Sequence, residues 1–306
     1  MRIVSVLPSA TEIVAALGHE AWLVGRSEEC DFPPSVRSIP AVMRAKHWDS
    51  DRPSSEIDRR VQTTRARGES LYSLDVDRLR SLAPDLLLTQ DLCGVCSVTE
   101  DEVRSACAQA GVAPEVVSLT PRTLEEVWQS IELVGRAIGD PSRGAAFAEN
   151  LRHRVADSAG PTRSRRPSVG ILEWLDPPIL AGLWTPDMII AAGGEPAPTR
   201  SGEPGLRRTW PEVIAQAPDL VIVSPCSFSV DRTQQELRSS PVARSLTRLA
   251  PRFGTWIADE AYFSRPGPRL ADGVDLIRHL LAVEQWQPPM PVQLWGMAAP
   301  LDGART

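Results

Sequence analysis

The chain has 306 residues, 33 Lys and Arg against 39 Asp and Glu, and 42% hydrophobic residues. At roughly 100–200 residues per domain, this length predicts about two domains with sizeable cores. A net charge of −6 sets up no basic field toward nucleic acid or anionic lipid, so nucleic acid is excluded as an expected partner.

In chain order, Ile3–Leu7 is a predicted strand and Thr11–Leu17 a helix ended by Gly18. Ala21–Gly25 is a second strand. Leu79–Leu82 closes a helix before Pro84-Asp85, and Leu86–Thr89 is a buried strand. Glu102–Ala110 is a helix stopped by Gly111, followed by a strand at Glu115–Leu119. Thr123 and Glu126 form a predicted capping box, with Leu124, Val127, Trp128, Ile131 and Val134 at helical spacing behind it. Gly139-Asp140-Pro141 breaks that helix, and Ser142–Asp157 is a second one, roughly 25 Å long at 1.5 Å per residue.

The alternation resumes after Pro167. Strands are predicted at Val169–Trp174, Leu220–Ser224 and Thr255–Ala258, with helices at Pro186–Ala192, Trp210–Ala215, around Gln234–Leu237 and at Arg269–Val283. "LAPDLLLTQ" and "AQAPDLVIVS" are near copies of one unit: a helix end, a Pro-Asp turn and a buried strand. Strands interleaved with helices predict an α/β fold with parallel sheets. The expected division is an N-terminal α/β lobe at 1–121, a helical connection at 122–166, a C-terminal α/β lobe at 167–284, and a Pro/Trp-rich tail at 285–306 without regular period.

No apolar run approaches the ~20 residues that span a bilayer, so the chain is not expected to be membrane-embedded. Met1–Pro8 reads as the start of a strand rather than the apolar region of a signal peptide, and the first cysteine, Cys30, comes too late for a lipobox. The expected location is therefore the cytoplasm, with a periplasmic or surface location only if the start is misassigned. Five cysteines do not read as a disulfide framework.

In open parallel sheets, ligands bind at the carboxyl ends of the strands. Cys30, Cys93, Cys96 and Cys226 all fall there, in "ECDFP", "DLCGVC" and "SPCSF". Thiolates so placed would suit zinc, an iron–sulfur cluster or another soft metal; packed core residues and reactive thiols are the other readings. Cys107 lies on an apolar helix face and is expected in the core. His47, beside Trp48, is the one histidine placed to act as a metal ligand.

Glu29, Asp31, Gln90, Asp91, Glu173, Trp174, Trp184, Tyr262, Phe263 and Arg265 also fall at or near strand ends. Aromatics with a few polar groups make a surface for a large, flat, partly apolar ligand. The chain carries no P-loop, G-x-G-x-x-G, G-x-S-x-G or H-E-x-x-H motif, and no catalytic residue is assigned.

"VSVLPSATEIVAALG", "LVGRSEECDFP", "DRLRSLAPDLLLTQ", "WTPDMIIAAGGEP", "TWPEVIAQAPDLVIV" and "FSRPGPRLADGVDLI", in this order, resemble the cobalamin-binding and ferric-siderophore-binding proteins of ABC importers, the helical-backbone metal receptor superfamily. The resemblance covers about Arg2 to Val283. It implies two Rossmann-like lobes joined by a long backbone helix, the class III periplasmic-binding-protein arrangement, with the ligand between the lobes. By the same resemblance, Pro8, Ser9 and the loops at Glu29–Phe32, after Thr89, at Glu173-Trp174 and at Phe263–Arg265 would contact the ligand, and Asp77 and Glu212 would dock an ABC permease if the protein is exported. The cysteine-bearing segments resemble a leaderless, cysteine-containing subgroup. The expected function is to hold a corrinoid (cobalamin) or another metal-containing ligand. One alternative is a cytosolic metalloprotein, catalytic or not, whose cysteines hold zinc or an iron–sulfur cluster; the other is an exported importer receptor.

Overall fold

The first strand is only three residues long, Ile3–Ser5 (β1), yet all three are fully buried, and strands on both of its sides explain why. The computed structural model describes residues 1–46, 52–91, 98–157, 165–249, 251–282 and 298–300. After β1 come the helix Pro8–Ala16 (α1) and the strands Leu23–Ser27 (β2) and Ala41–Ala45 (β3). Ser54–Ala66 (α2), Tyr72–Leu74 (β4), Val76–Leu82 (α3), Leu86–Thr89 (β5), Glu100–Ala110 (α4) and Glu115–Ser118 (β6) follow, then the helices Leu124–Ala137 (α5) and Pro141–Asp157 (α6).

The second half contains Ser168–Leu175 (β7), Pro178–Leu180 (β8), Thr185–Ala191 (α7), Glu195–Pro196 (β9) and Leu206–Arg207 (β10). It continues through Trp210–Gln216 (α8), Leu220–Val223 (β11), Val230–Ser239 (α9), Val242–Leu246 (α10), Thr255–Ala258 (β12), Leu270–Ala282 (α11) and Ala298–Pro300 (β13). The chain divides into two compact units. Unit 1 is Met1–Asp49, Arg60–Pro121 and Glu125–Arg152; unit 2 is Ser50–Arg59, Arg122–Leu124 and His153–Thr306. The division thus falls inside α2, after the first residue of α5, and inside α6.

Unit 1 carries a sheet of order β4-β3-β2-β1-β5-β6, parallel except for β4. Unit 2 carries the order β10-β8-β7-β11-β12-β13, in which β7, β11 and β12 are parallel and β9 pairs with the start of β7. Each sheet is doubly wound: successive strands go to one side of the first strand, and later ones to the other. Val4, Leu79, Leu87 and Val103 centre the core of unit 1; Leu172, Val221, Val223 and Leu246 centre that of unit 2.

The near-repeated segments perform the same task in both units. Ala83 and Ala217 end their helices in the left-handed conformation at φ 40° and 44°, and proline follows. The next residue then ties the sheet together. Asp85 accepts from the Arg2 amide at 2.7 Å, and its carbonyl accepts from Glu115 on β6. Asp219 accepts from the Ser168 amide at 2.8 Å, and its carbonyl accepts from Phe253 just before β12. One aspartate therefore splices three strand starts in each unit.

The helix pair of unit 1 packs closely where two glycines meet. A Cβ added at Gly135 would come within 2.8 Å of the Gly144 Cα, so α5 and α6 approach backbone to backbone there. At the start of α5, the Leu124 amide donates to Asp187 at 2.9 Å, a partner far from the Thr123–Glu126 pair expected there.

Several elements differ from the sequence expectation. The second strand starts at Leu23 rather than Ala21, because Glu20–Trp22 forms a single helical turn. Helix α1 starts at Pro8 rather than Thr11, proline being well suited to a first helical turn. β3, α2, β4 and the short strands β8, β9 and β10 were not expected. Within the tail, Ala298–Pro300 pairs antiparallel with β12, and the rest of the tail lies outside the described residues. Among the described residues, no helix is long and apolar enough to cross a membrane.

Candidate functional site: the strand-end loops of the two units

In a doubly wound sheet, the loops leaving the first strand and its later neighbour diverge, which opens a crevice at their carboxyl ends. In unit 1 those strands are β1 and β5, bonded just past the end of β1 by the Val6 amide to the Leu88 carbonyl at 3.0 Å. Pro8 and buried Ser9 form the first turn of α1 here, and buried Gln90 and exposed Asp91 follow β5.

Small hydroxyl groups fill the space beneath this turn. Thr11 Oγ1 lies 2.9 Å from Ser5 Oγ, 3.0 Å from Cys30 Sγ and 3.3 Å from the Leu7 carbonyl, so its single proton has three acceptors to choose among. Cys30 is 1% exposed, and its environment is that of a packed thiol with a hydroxyl neighbour. Glu29 and Asp31 flank it, half-buried; the Asp31 carboxylate is 3.9 Å from Arg37. Arg26 holds this loop by donating to the carbonyls of Ser27, Glu28, Arg37 and Ile39.

In unit 2 the corresponding strands are β7 and β11. The Ser224 amide donates to the Leu172 carbonyl and the Cys226 amide to the Glu173 carbonyl, at 2.9 and 3.0 Å, which brings predicted residues Glu173 and Cys226 together. Trp174 is 9% exposed and its ring centroid stands 5.4 Å from that of Phe228. The Arg232 guanidinium covers Phe228 at 4.2 Å and pairs with Glu236 at 3.1 Å.

The loop after β12 adds a second aromatic and ionic group. Trp184 Nε1 donates to the Phe263 carbonyl at 2.7 Å, and both side chains are buried, so Trp184 holds the loop rather than presenting a face. Arg265 pairs with Glu260 at 2.7 Å, and Arg269 lies 5.5 Å over the Tyr262 ring. Burial raises the Tyr262 pKa, against the lowering influence of Arg269. A Cβ on Gly273 would come within 2.3 Å of the Tyr262 carbonyl, so α11 packs against this turn through bare backbone.

Among the described residues, no group of three or more His, Cys, Asp or Glu side chains is arranged to hold a metal ion. Cys93, Cys96 and His47 lie outside the described residues, and Cys107 is buried in the core of unit 1 with its thiol pKa raised by burial. Asp77 and Glu212 are both exposed; Asp77 pairs with Arg80 at 2.6 Å, and Glu212 caps α8 by accepting from the Thr209 amide and hydroxyl at 2.7 Å each. Phe228, Arg232, Glu236 and Glu260 were missed from the sequence. Only the four-residue spacing of Arg232 and Glu236 could have signalled a pair.

The sequence pattern of the family described as periplasmic binding protein matches residues 3–249. The vitamin B12-binding protein of Vibrio cholerae serotype O1 is 21% identical over 289 residues, 94% of this chain and 91% of the relative. A periplasmic heme-binding protein of Pseudomonas aeruginosa has a similar fold, with a TM-score of 0.65 at 20% identity, covering 98% of this chain and 94% of that one. An Fe3+-hydroxamate transport protein of Saccharomonospora viridis gives a TM-score of 0.65 at 18% identity, covering 92% and 93%.

Proposed function

The chain belongs to the periplasmic binding protein family, and we propose that it binds a corrinoid, cobalamin foremost, at its strand-end loops. The observation that carries this reading is the aromatic and polar constellation at the β7, β11 and β12 ends. Trp174 and Tyr262 supply apolar area with buried Phe263 packed behind them, and Glu173 and Arg265 supply polar contacts, suited to a large ring with a polar rim. Pro8, Ser9, Glu29, Asp31, Gln90 and Asp91 are the contacts proposed from unit 1. Trp184 acts one step back, by holding the Phe263 carbonyl.

The nearly full-length relationship to a vitamin B12-binding protein supports the corrinoid over other metal complexes. The zinc and iron–sulfur alternatives draw no such support. We further propose a cytosolic location; recovery of the protein from the cell envelope would overturn that, and would make Asp77 and Glu212 the surface that meets an ABC permease.

The test is calorimetric titration of the purified full chain with cyanocobalamin, hemin and a ferric hydroxamate in parallel. A one-to-one heat with cyanocobalamin at least about tenfold tighter than with the other two is expected, a margin of about 1.4 kcal/mol. Preference for hemin or the hydroxamate would replace the corrinoid, and absence of binding to all three would overturn the reading.

A further inference from the structure

The first turns of α2 belong to unit 2 although the strands on either side of α2 in the chain belong to unit 1. Ser54, which has no exposed surface, donates to Glu236 Oε1 from its amide at 2.9 Å and from its hydroxyl at 2.7 Å. The other carboxylate oxygen, Oε2, accepts from Arg232 Nη1 and Nη2 at 3.2 and 3.1 Å. Arg232 Nη2 also donates to the Arg52 carbonyl at 2.5 Å. A second anchor stands further along α2, where Asp58 takes a forked pair of bonds from Arg207 on β10 at 2.6 and 3.1 Å.

Glu236 is 3% exposed, and a carboxylate so far from water is stable only with its partners in place. Ser54 and Arg232 meet that need together, so seating the segment and orienting the guanidinium are one event. The oriented guanidinium lies against Phe228, itself 1% exposed, and Phe228 lies against Trp174. Trp174 Nε1 is buried and has no hydrogen-bond partner among the described residues, so packing holds the indole. A shift of Arg232 would therefore reach Trp174 without any polar contact to resist it.

We infer that residues 52–59 form a strap latched onto unit 2 by Glu236, and that this latch positions Trp174 through Arg232 and Phe228. Its consequence for binding rests on the reading of Trp174 as a ligand contact given above; the latch itself does not. Linkage makes the coupling reciprocal: a ligand that favours the seated indole also favours the seated strap.

The experiment uses the full chain without ligand and reads two quantities. Hydrogen exchange follows the amides of 54–59, and hydroxyl-radical footprinting follows oxidation of Trp174. In Glu236→Ala, strap exchange is expected to rise at least about tenfold and Trp174 oxidation at least about threefold. Glu236→Gln keeps an acceptor for Ser54 but loses the charge pairing with Arg232, so it should fall between the two. Arg207→Ala, at the exposed anchor, should speed strap exchange with the fold intact, and it serves as the test should Glu236→Ala not fold.

Unchanged strap exchange in the folded variants would overturn the latch. Strap release with Trp174 oxidation at the wild-type rate would overturn the link to Trp174. Cyanocobalamin affinity of the same variants is then compared with wild type, where weaker binding in Glu236→Ala is expected. If wild type binds no cobalamin, the ligand reading fails while the exchange data still decide the latch.

Discussion

The two switch points of this molecule share a topology and almost nothing else. At the end of β1 in unit 1, small buried groups dominate: Ser5, Ser9, Thr11, Ser27 and Cys30. At the end of β7 in unit 2, large rings and ion pairs dominate: Trp174 on Phe228, Arg232 on Glu236, and Trp184 holding the loop that carries the Arg265–Glu260 pair. Strand order fixes where a crevice opens, and the loops decide what it can recognise. One end offers a tight, self-satisfied floor; the other offers area and orientation.

If that contrast is correct, the costliest single change lies in unit 2. Trp184→Ala removes a buried indole and orphans the Phe263 carbonyl, and it should cost about 3–5 kcal/mol in urea unfolding. A cost below about 1 kcal/mol would show that the loop holds itself. In unit 1, Thr11→Val keeps the shape but removes the proton shared among Ser5, Cys30 and Leu7, with an expected loss of about 1–2 kcal/mol by the same measurement. A loss as large as that for Trp184 would erase the distinction between a distributed floor and a concentrated anchor.

Asp176, just beyond β7, tests the electrostatics of unit 2. Burial, followed by the charges of Glu236 and Asp58, raises its pKa in the folded protein. The fold therefore holds its proton more tightly than the unfolded chain does. Ionisation costs stability above the folded pKa, and the cost vanishes below the unfolded one. Asp176→Asn should raise Tm by about 2 °C at pH 7 and leave it unchanged near pH 3. A gain that persists in acid would locate the effect in packing instead.

The smallest expected effect concerns what the units have in common. Ala83→Gly and Ala217→Gly each relieve a left-handed alanine at a helix end, offset by the freedom glycine adds to the unfolded chain. Each should stabilise by about 0.5 kcal/mol, and a marked inequality between them would mean the two Ala-Pro-Asp turns are not equivalent.

Those turns were the most legible part of the sequence. Leu86–Thr89 and Leu220–Val223 are buried along their whole length, so uninterrupted apolar runs behind Pro-Asp read directly as central parallel strands. The strand-end positions of Glu173, Trp174 and Tyr262 followed from the same local pattern. Helix α2 was not legible, because SSEIDRRVQTTRA buries only Ile57 and Val61 among its apolar residues and carries no apolar stripe. β8, β9 and β10 are two or three residues long, too short for an alternating pattern to register. Ser54 and Glu236 are 182 positions apart, and no periodicity links residues at that distance.

That separation also bears on how the protein is made. A chain emerges from the ribosome in order, and contacts distant in sequence must wait for the later partner. β1 can pair with β2 early, yet the Arg2 amide has no Asp85 to bind until that residue has been synthesised. Ser54 waits far longer: its carboxylate arrives with α9, after most of unit 2 has been translated. A segment made well before most of unit 2 thus reaches its place only once α9 has emerged.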